Sequence, residues 1–274
     1  MPYITTSDGT QIYYSDWGEG QPVILSHGWP LNGDAWAKEQ MMLADYGFRA
    51  IAHDRRGHGR SSQPWAGNDM DTYVSDLAAL VDTLDLEDVI LVGHSTGGGE
   101  VVRYAAQYGQ DRVVKVFTAG AVPPIMLKSD SNPDGTPIEA FNGLRESVLK
   151  DRSQFYQELA YPFFGANRDG ANVSEGLRDE FWREGMLVGI KAAYDCIAAF
   201  SETDFTEDLK ALTVPIFIAQ GEDDQIVPLK DAALKAIDLV KNGTLKLYPG
   251  APHGISGAYQ EALDADLLAF ITEK

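Results

Sequence analysis

Gly93-His94-Ser95-Thr96-Gly97 is the segment whose residue types could do covalent chemistry. A G-x-S-x-G pentapeptide is weak evidence alone, because glycine and serine are common. Its setting is more telling: the β-rich run DVILV precedes it and helical sequence follows. A tight strand-to-helix turn projects a serine Oγ above a sheet only if its neighbours are small, which Gly93 and Gly97 supply. The helix N-terminus behind Ser95 would aim N–H groups and positive potential at developing negative charge. The bland alternative, a glycine-rich helix start with a capping serine, fits that setting less well.

A serine hydroxyl needs a base at neutral pH. His253, in Gly250-Ala251-Pro252-His253-Gly254, follows a strand and precedes the last helix, so it can reach over the strand ends. The other histidines are worse placed. His27 follows the run PVILS and suits a structural role near an anion-binding loop. His53 ends a strand, His58 sits inside a turn, and His94 should point away from the Ser95 hydroxyl. The base needs an orienting carboxylate. The loop Gly221-Glu222-Asp223-Asp224-Gln225-Ile226-Val227-Pro228 offers three, ranked Asp224, Asp223, Glu222; position alone does not choose among them. An anion hole needs two N–H donors. The backbone of Thr96 is one, and Trp29, in His27-Gly28-Trp29-Pro30, is the candidate for the other, since Pro30 has no N–H.

These residues require a scaffold that brings strand ends together. Strands are expected at Gln11–Trp17, Pro22–Ser26, Phe48–His53, Asp88–Val92 and Val113–Thr118. Helical spacing covers Asp34–Asp45, Asp69–Leu84 and Glu100–Tyr108. The alternation implies a mostly parallel sheet with helices on both faces. It breaks near Val122. From there to Phe205, Glu139–Ala160 and Leu177–Phe200 look helical and aromatic-rich, so residues 122–205 read as an inserted helical cap on a core of 1–121 and 206–274. Val214–Gln220, Leu229–Leu239, Thr244–Tyr248 and Ala258–Ile271 resume the earlier rhythm. Of the cap aromatics Phe141, Phe155, Tyr156, Tyr161, Phe163, Phe164, Phe181 and Trp182, most should be packing core and a few should roof an acyl pocket. Trp29 and Val122 are the expected pocket neighbours.

The chain has 274 residues, 44% hydrophobic and 23% charged, which fits one compact unit and excludes a disordered chain. No apolar run approaches a spanning helix, and the N-terminus lacks a secretory pattern. A net charge of −19 disfavours nucleic acid and anionic membranes as partners. Cys196 is the single cysteine, which fits a cytoplasmic compartment. The histidine and cysteine spacing supports no zinc site, and no phosphate loop is present, so no metal or cofactor is expected.

Taken together, these features resemble the α/β-hydrolase fold over essentially the whole chain, and the order Ser…Asp…His is the one that fold uses. Asp54-Arg55-Arg56-Gly57-His58-Gly59-Arg60-Ser61 is similar to that fold's structural D-x-R-G-x-G-x-S segment. More narrowly, HGWPLNGDAW, AHDRRGHGRSSQPW, GHSTGGGEVVRY, DDQIVP and APHG resemble the cofactor-free bacterial haloperoxidase/aryl esterase family. The resemblance implies Ser95 as nucleophile, Asp224 and His253 as its partners, and Trp29 and Thr96 as oxyanion donors. It implies hydrolysis of small esters, with lactones or γ-lactams as further substrates. It also implies perhydrolysis of short carboxylic acids by hydrogen peroxide, giving peracids that oxidise halide. Thr96 stands where aryl esterases often carry Met, and Pro30 resembles the perhydrolase-leaning subset. A trimer or dimer of trimers is the oligomer it implies. Two rivals are an epoxide hydrolase or dehalogenase, which would need a carboxylate at position 95, and a weakly catalytic small-ligand receptor on the same fold.

Overall fold

The computed structural model describes residues 2–109, 111–254 and 258–273. Among them, eight strands form one sheet in the order β1-β2-β4-β3-β5-β6-β7-β8. These are β1 (Tyr3–Thr5), β2 (Gln11–Trp17), β3 (Gln21–Ser26), β4 (Phe48–His53), β5 (Val89–His94), β6 (Val113–Ala119), β7 (Ile216–Gly221) and β8 (Gly243–Tyr248). β2 pairs antiparallel with β1 and β4; from β4 through β8 every pairing is parallel. The central strands are buried on both faces, as their unbroken apolar runs require: Val23, Ile24, Leu25, Ile90, Leu91 and Val92 are wholly buried.

Helices α1 (Ala37–Asp45), α2 (Met70–Thr83), α3 (Thr96–Gln107), α8 (Ala233–Leu239) and α9 (Ala258–Thr272) accompany the sheet. Between β6 and β7 lie α4 (Ile138–Phe163), α5 (Glu175–Met186), α6 (Ile190–Ser201) and α7 (Thr206–Ala211). α2 starts where its sequence says it should: the Asp69 carboxylate accepts from Thr72 N–H at 3.0 Å, a cap worth about 1 kcal/mol.

Three sequence expectations shift. The helix expected from Glu100 begins at Thr96, and the segment expected as one helix over Asp34–Asp45 divides into a 3₁₀ turn at Gly33–Trp36 followed by α1. Leu177–Phe200 is two helices rather than one. Gly189 N–H donates to Gly57 O at 2.8 Å, so the backbone there serves the 57–62 turn instead of continuing the helix. Any side chain at 189 would also meet Gln63 Oε1 at 2.8 Å.

The chain passes from β3 to β4 on one side and returns to β5 on the other. Carboxyl ends of β3 and β5 therefore flank a reversal in strand order, where open α/β sheets bind ligands. The Gly28–Trp29 loop leaves β3 there and Ser95 leaves β5.

Candidate active site

Ser95 joins β5 directly to α3 with φ 54° and ψ −119°. A non-glycine residue in that region is strained, and the surrounding packing must hold it. Gly93 and Gly97 allow it: a Cβ on Gly93 would run into the Gly97 carbonyl, and one on Gly97 into the Ser26 carbonyl. Ser95 N–H donates to Ala119 O at 3.0 Å, tying the turn to β6. Val122 N–H donates to Ser95 O at 3.3 Å, so Val122 borders the turn that carries Ser95.

His253 and Asp224 meet although 29 residues separate them. His253 Nδ1 lies 2.8 Å from Asp224 Oδ2, and both side chains are fully buried. Asp224 Oδ1 accepts from the N–H groups of Ile226 at 2.9 Å and Val227 at 2.8 Å, while Oδ2 also accepts from Gln220 Nε2 at 3.0 Å. The carboxylate is thus fixed on every side. The choice among the three acids follows from this geometry: Asp223 instead pairs with Arg168 at 2.5 and 2.7 Å near the surface, and Glu222 is exposed. Gln220 escaped the sequence reading. Its signal was a lone amide ending the buried run VPIFIA.

His253 Nε2 is buried and has no hydrogen-bond partner among the described residues. Its hydrogen bond to Ser95 Oγ is not formed here; such contacts often tighten only with substrate bound. Gly120 backs the imidazole, where a Cβ would stand 3.1 Å from His253 Nδ1. Gly28 backs the serine, where a Cβ would stand 3.1 Å from Ser95 Cβ. His94 turns toward the His253 backbone, its Nε2 3.2 Å from His253 O. Burial, with the His253 ring adjacent, pushes His94 down to about 3, so it is neutral at working pH. His53 and His58 are committed elsewhere, to Glu100 and to the Arg56 carbonyl.

Among the described residues, neither the Trp29 nor the Thr96 amide N–H has an acceptor. Both lie beside Ser95, one in the adjoining loop and one as the next residue. The Trp29 indole donates to Ala193 O at 3.1 Å and packs against Phe155, Tyr156 and Phe200, which anchors that loop to α6 and α4. Phe163 stands edge-on to His253, ring centres 4.9 Å apart, and packs on Phe181 at 4.6 Å. Tyr161, by contrast, is exposed. A cavity of about 830 Å³ runs past Gly28, His94, Phe163, Phe181 and Glu184. Trp29, Ser95 and Val122 do not line it.

Glu184, on α5, is a second residue the sequence reading missed. It accepts from Asn32 N–H at 3.3 Å and is buried. Burial pushes its carboxyl up to about 8; the Asn32 bond opposes this, and Glu180, Asp34 and Asp54 add to it. An unfolded glutamate titrates near ~4.3, so the stabilisation from a neutral Glu184 is full below that pH. It is lost as pH rises toward about 8, because only the unfolded chain ionises over that window. Glu184→Gln keeps an acceptor for Asn32 but cannot ionise. Its stability relative to wild type is expected to rise by roughly 4 kcal/mol between pH 4.5 and 8. Denaturant unfolding at both pH values checks this; a difference that does not change with pH removes Glu184 from the balance.

Residues 21–256 match the family model described as alpha/beta hydrolase fold. The chain is 54% identical to a non-heme haloperoxidase of Rhodococcus erythropolis over 272 residues, covering 99% of each. It is 53% identical to a bifunctional esterase/perhydrolase of Acinetobacter calcoaceticus, again covering 99% of each. Among solved structures it resembles a bromoperoxidase from Bacillus anthracis, with TM-score 0.94, 39% identity, and 99% of this chain and 100% of that one covered. The strand order, the strained serine turn and this likeness along the whole length lead to one assignment: the chain is an enzyme of the alpha/beta hydrolase family, in its non-heme haloperoxidase group.

Proposed function

We propose that this enzyme is a serine hydrolase of small carboxylic esters that also transfers acyl groups to hydrogen peroxide. The observation that carries the reading is the buried Asp224–His253 pair, with the imidazole Nε2 left without a partner among the described residues, together with the strained turn at Ser95. His253 Nε2 takes the Ser95 proton while Oγ attacks the ester carbonyl. Trp29 and Thr96 N–H groups hold the oxyanion. The tetrahedral adduct collapses, His253 Nε2 returns the proton to the departing alkoxide, and an acyl-Ser95 ester remains. Water then attacks that ester, His253 taking its proton, and the acid leaves as Ser95 regains its hydrogen.

Hydrogen peroxide in place of water gives the peracid by the same steps. It is more acidic and more nucleophilic than water, so a site that activates water activates peroxide without changing any residue. With a carboxylic acid as acyl donor, the first step releases water instead of an alcohol. The peracid then oxidises bromide or chloride in solution, outside the protein. Names borne by the relatives, haloperoxidase and esterase/perhydrolase, support this pairing of activities. Lactones and γ-lactams are further acyl donors of the same kind, their leaving group remaining attached. No helix among the described residues is long and apolar enough to cross a membrane.

One panel tests the reading: p-nitrophenyl acetate, a γ-lactam, and monochlorodimedone with acetate, peroxide and bromide. Ester cleavage and halogenation are expected, both abolished by one serine-directed phosphonate. Halogenation surviving a phosphonate that stops ester cleavage would separate the two activities and overturn the shared intermediate.

A further inference from the structure

The two amides assigned to the oxyanion sit on different elements. Thr96 opens α3, whereas Trp29 belongs to the loop after β3. Their spacing holds only if that loop is tied to that helix, and a buried polar chain runs between them.

Glu100 lies on α3, one turn beyond Thr96, and is fully buried. Its Oε2 accepts from Arg55 Nε at 3.0 Å and from Arg55 Nη2 at 2.6 Å, and its Oε1 lies 3.1 Å from His53 Nε2. The same Arg55 Nη2 donates to His27 O at 2.8 Å, and the Arg55 backbone N–H donates to His27 Nε2 at 3.0 Å. Burial opposes ionisation of Glu100, but the Arg55 and His53 charges outweigh it and hold the carboxyl down at about 2. Burial lowers the basicity of His27, and the Arg55 guanidinium lowers it further, so that ring is neutral.

His27 then acts on the next peptide. Its Nε2 is an acceptor, so the ring hydrogen is on Nδ1. Nδ1 lies 2.8 Å from Gly28 O, to which Leu31 N–H also donates at 3.0 Å. Gly28 C=O and Trp29 N–H are the two ends of one trans peptide and point in opposite directions. Holding the carbonyl toward His27 and Leu31 turns the Trp29 N–H the other way, in a loop packed against Ser95.

We propose that His27, Arg55 and Glu100 are positioning residues that lock the plane of the Gly28–Trp29 peptide to the nucleophile helix and so set the oxyanion site. The proposal rests on the acyl-transfer reading of Ser95 and deepens it. A buried ion pair adds little net stability over apolar residues of similar size. Its return here is geometric: one guanidinium bonds α3 and the β3 loop together.

Two variants test this. Glu100→Asp keeps the buried charge balance but shortens the tie. The double variant Arg55→Met/Glu100→Gln removes both charges, a change that buried pairs often tolerate. Each is assayed for p-nitrophenyl acetate turnover and for affinity toward phenylboronic acid, which adds to a serine Oγ to give a tetrahedral oxyanion mimic. In folded variants kcat is expected to fall roughly 10–100-fold and boronate affinity by a similar factor, with KM nearly unchanged. Folded variants with wild-type kcat and boronate affinity would overturn the tie, as would KM and boronate affinity weakening alike. Loss of the fold in both variants would also overturn it, since the residues would then serve stability alone. Failure of the wild type to bind the boronate would instead sink the serine reading itself.

Discussion

Ser95→Ala should lower kcat for p-nitrophenyl acetate by at least ~10⁴-fold, equivalent to about 5.5 kcal/mol of transition-state stabilisation. The covalent route disappears with the hydroxyl, and only the anion site and substrate binding remain to help water attack. Bromide oxidation with acetate and peroxide should fall in parallel, because both activities share the acyl-serine. The fold should survive. Ser95 is held by backbone bonds from its N–H to Ala119 O and from Val122 N–H to its own carbonyl, and alanine keeps both. Circular dichroism and stopped-flow assays of the same preparation check this. A folded variant with esterase loss but intact halogenation would show that peroxide chemistry uses another group.

Asp224→Asn should be nearly as damaging, and for a reason visible in the hydrogen bonds. Asp224 Oδ1 accepts two backbone N–H groups, from Ile226 and Val227, so the asparagine carbonyl oxygen must take that side. Its NH₂ then faces Gln220 Nε2 and His253 Nδ1, where the carboxylate Oδ2 stood. Gln220 meets a donor with a donor. His253 can accept only by giving up its Nδ1 hydrogen, which moves the ring proton to Nε2 and removes the base. A fall in kcat of about 10³–10⁴-fold is expected at pH 7, with KM changed much less. Asp223→Asn, which breaks only the pair with Arg168, is the control and should retain wild-type turnover. Equal losses in the two variants would move the orienting acid out of position 224.

The contrast between these acids shows where sequence reading ends. The strands carrying the site were legible because they are buried on both faces, which demands runs such as VILS and VILV. Ser95 was legible because its turn is local: the strand, two glycines and the helix are contiguous. The α3 start was less so. Gly97, Gly98 and Gly99 are poor helix formers with no apolar stripe, and they are glycine because Ser26, Ala121 and Phe205 press against them. β1 is three residues long, too short to show an alternation. Asp224 was separable from Asp223 only by family resemblance or by the fold, since the choice depends on which carboxylate meets an imidazole 29 residues away. Glu184, Gln220, Arg55 and Glu100 act through partners distant in the chain, so no spacing rule marks them.

The most direct test of the central claim is to trap the acyl group and find its position. The protein is quenched in acid during turnover of p-nitrophenyl acetate, and the acetylated peptide is mapped by mass spectrometry, with and without hydrogen peroxide. One acetyl group on Ser95 is expected in both cases. Added peroxide should divert product from acetate to peracetate without changing the initial release of p-nitrophenol. Acetyl on another residue, or turnover to peracetate with Ser95 never acylated, would contradict the account.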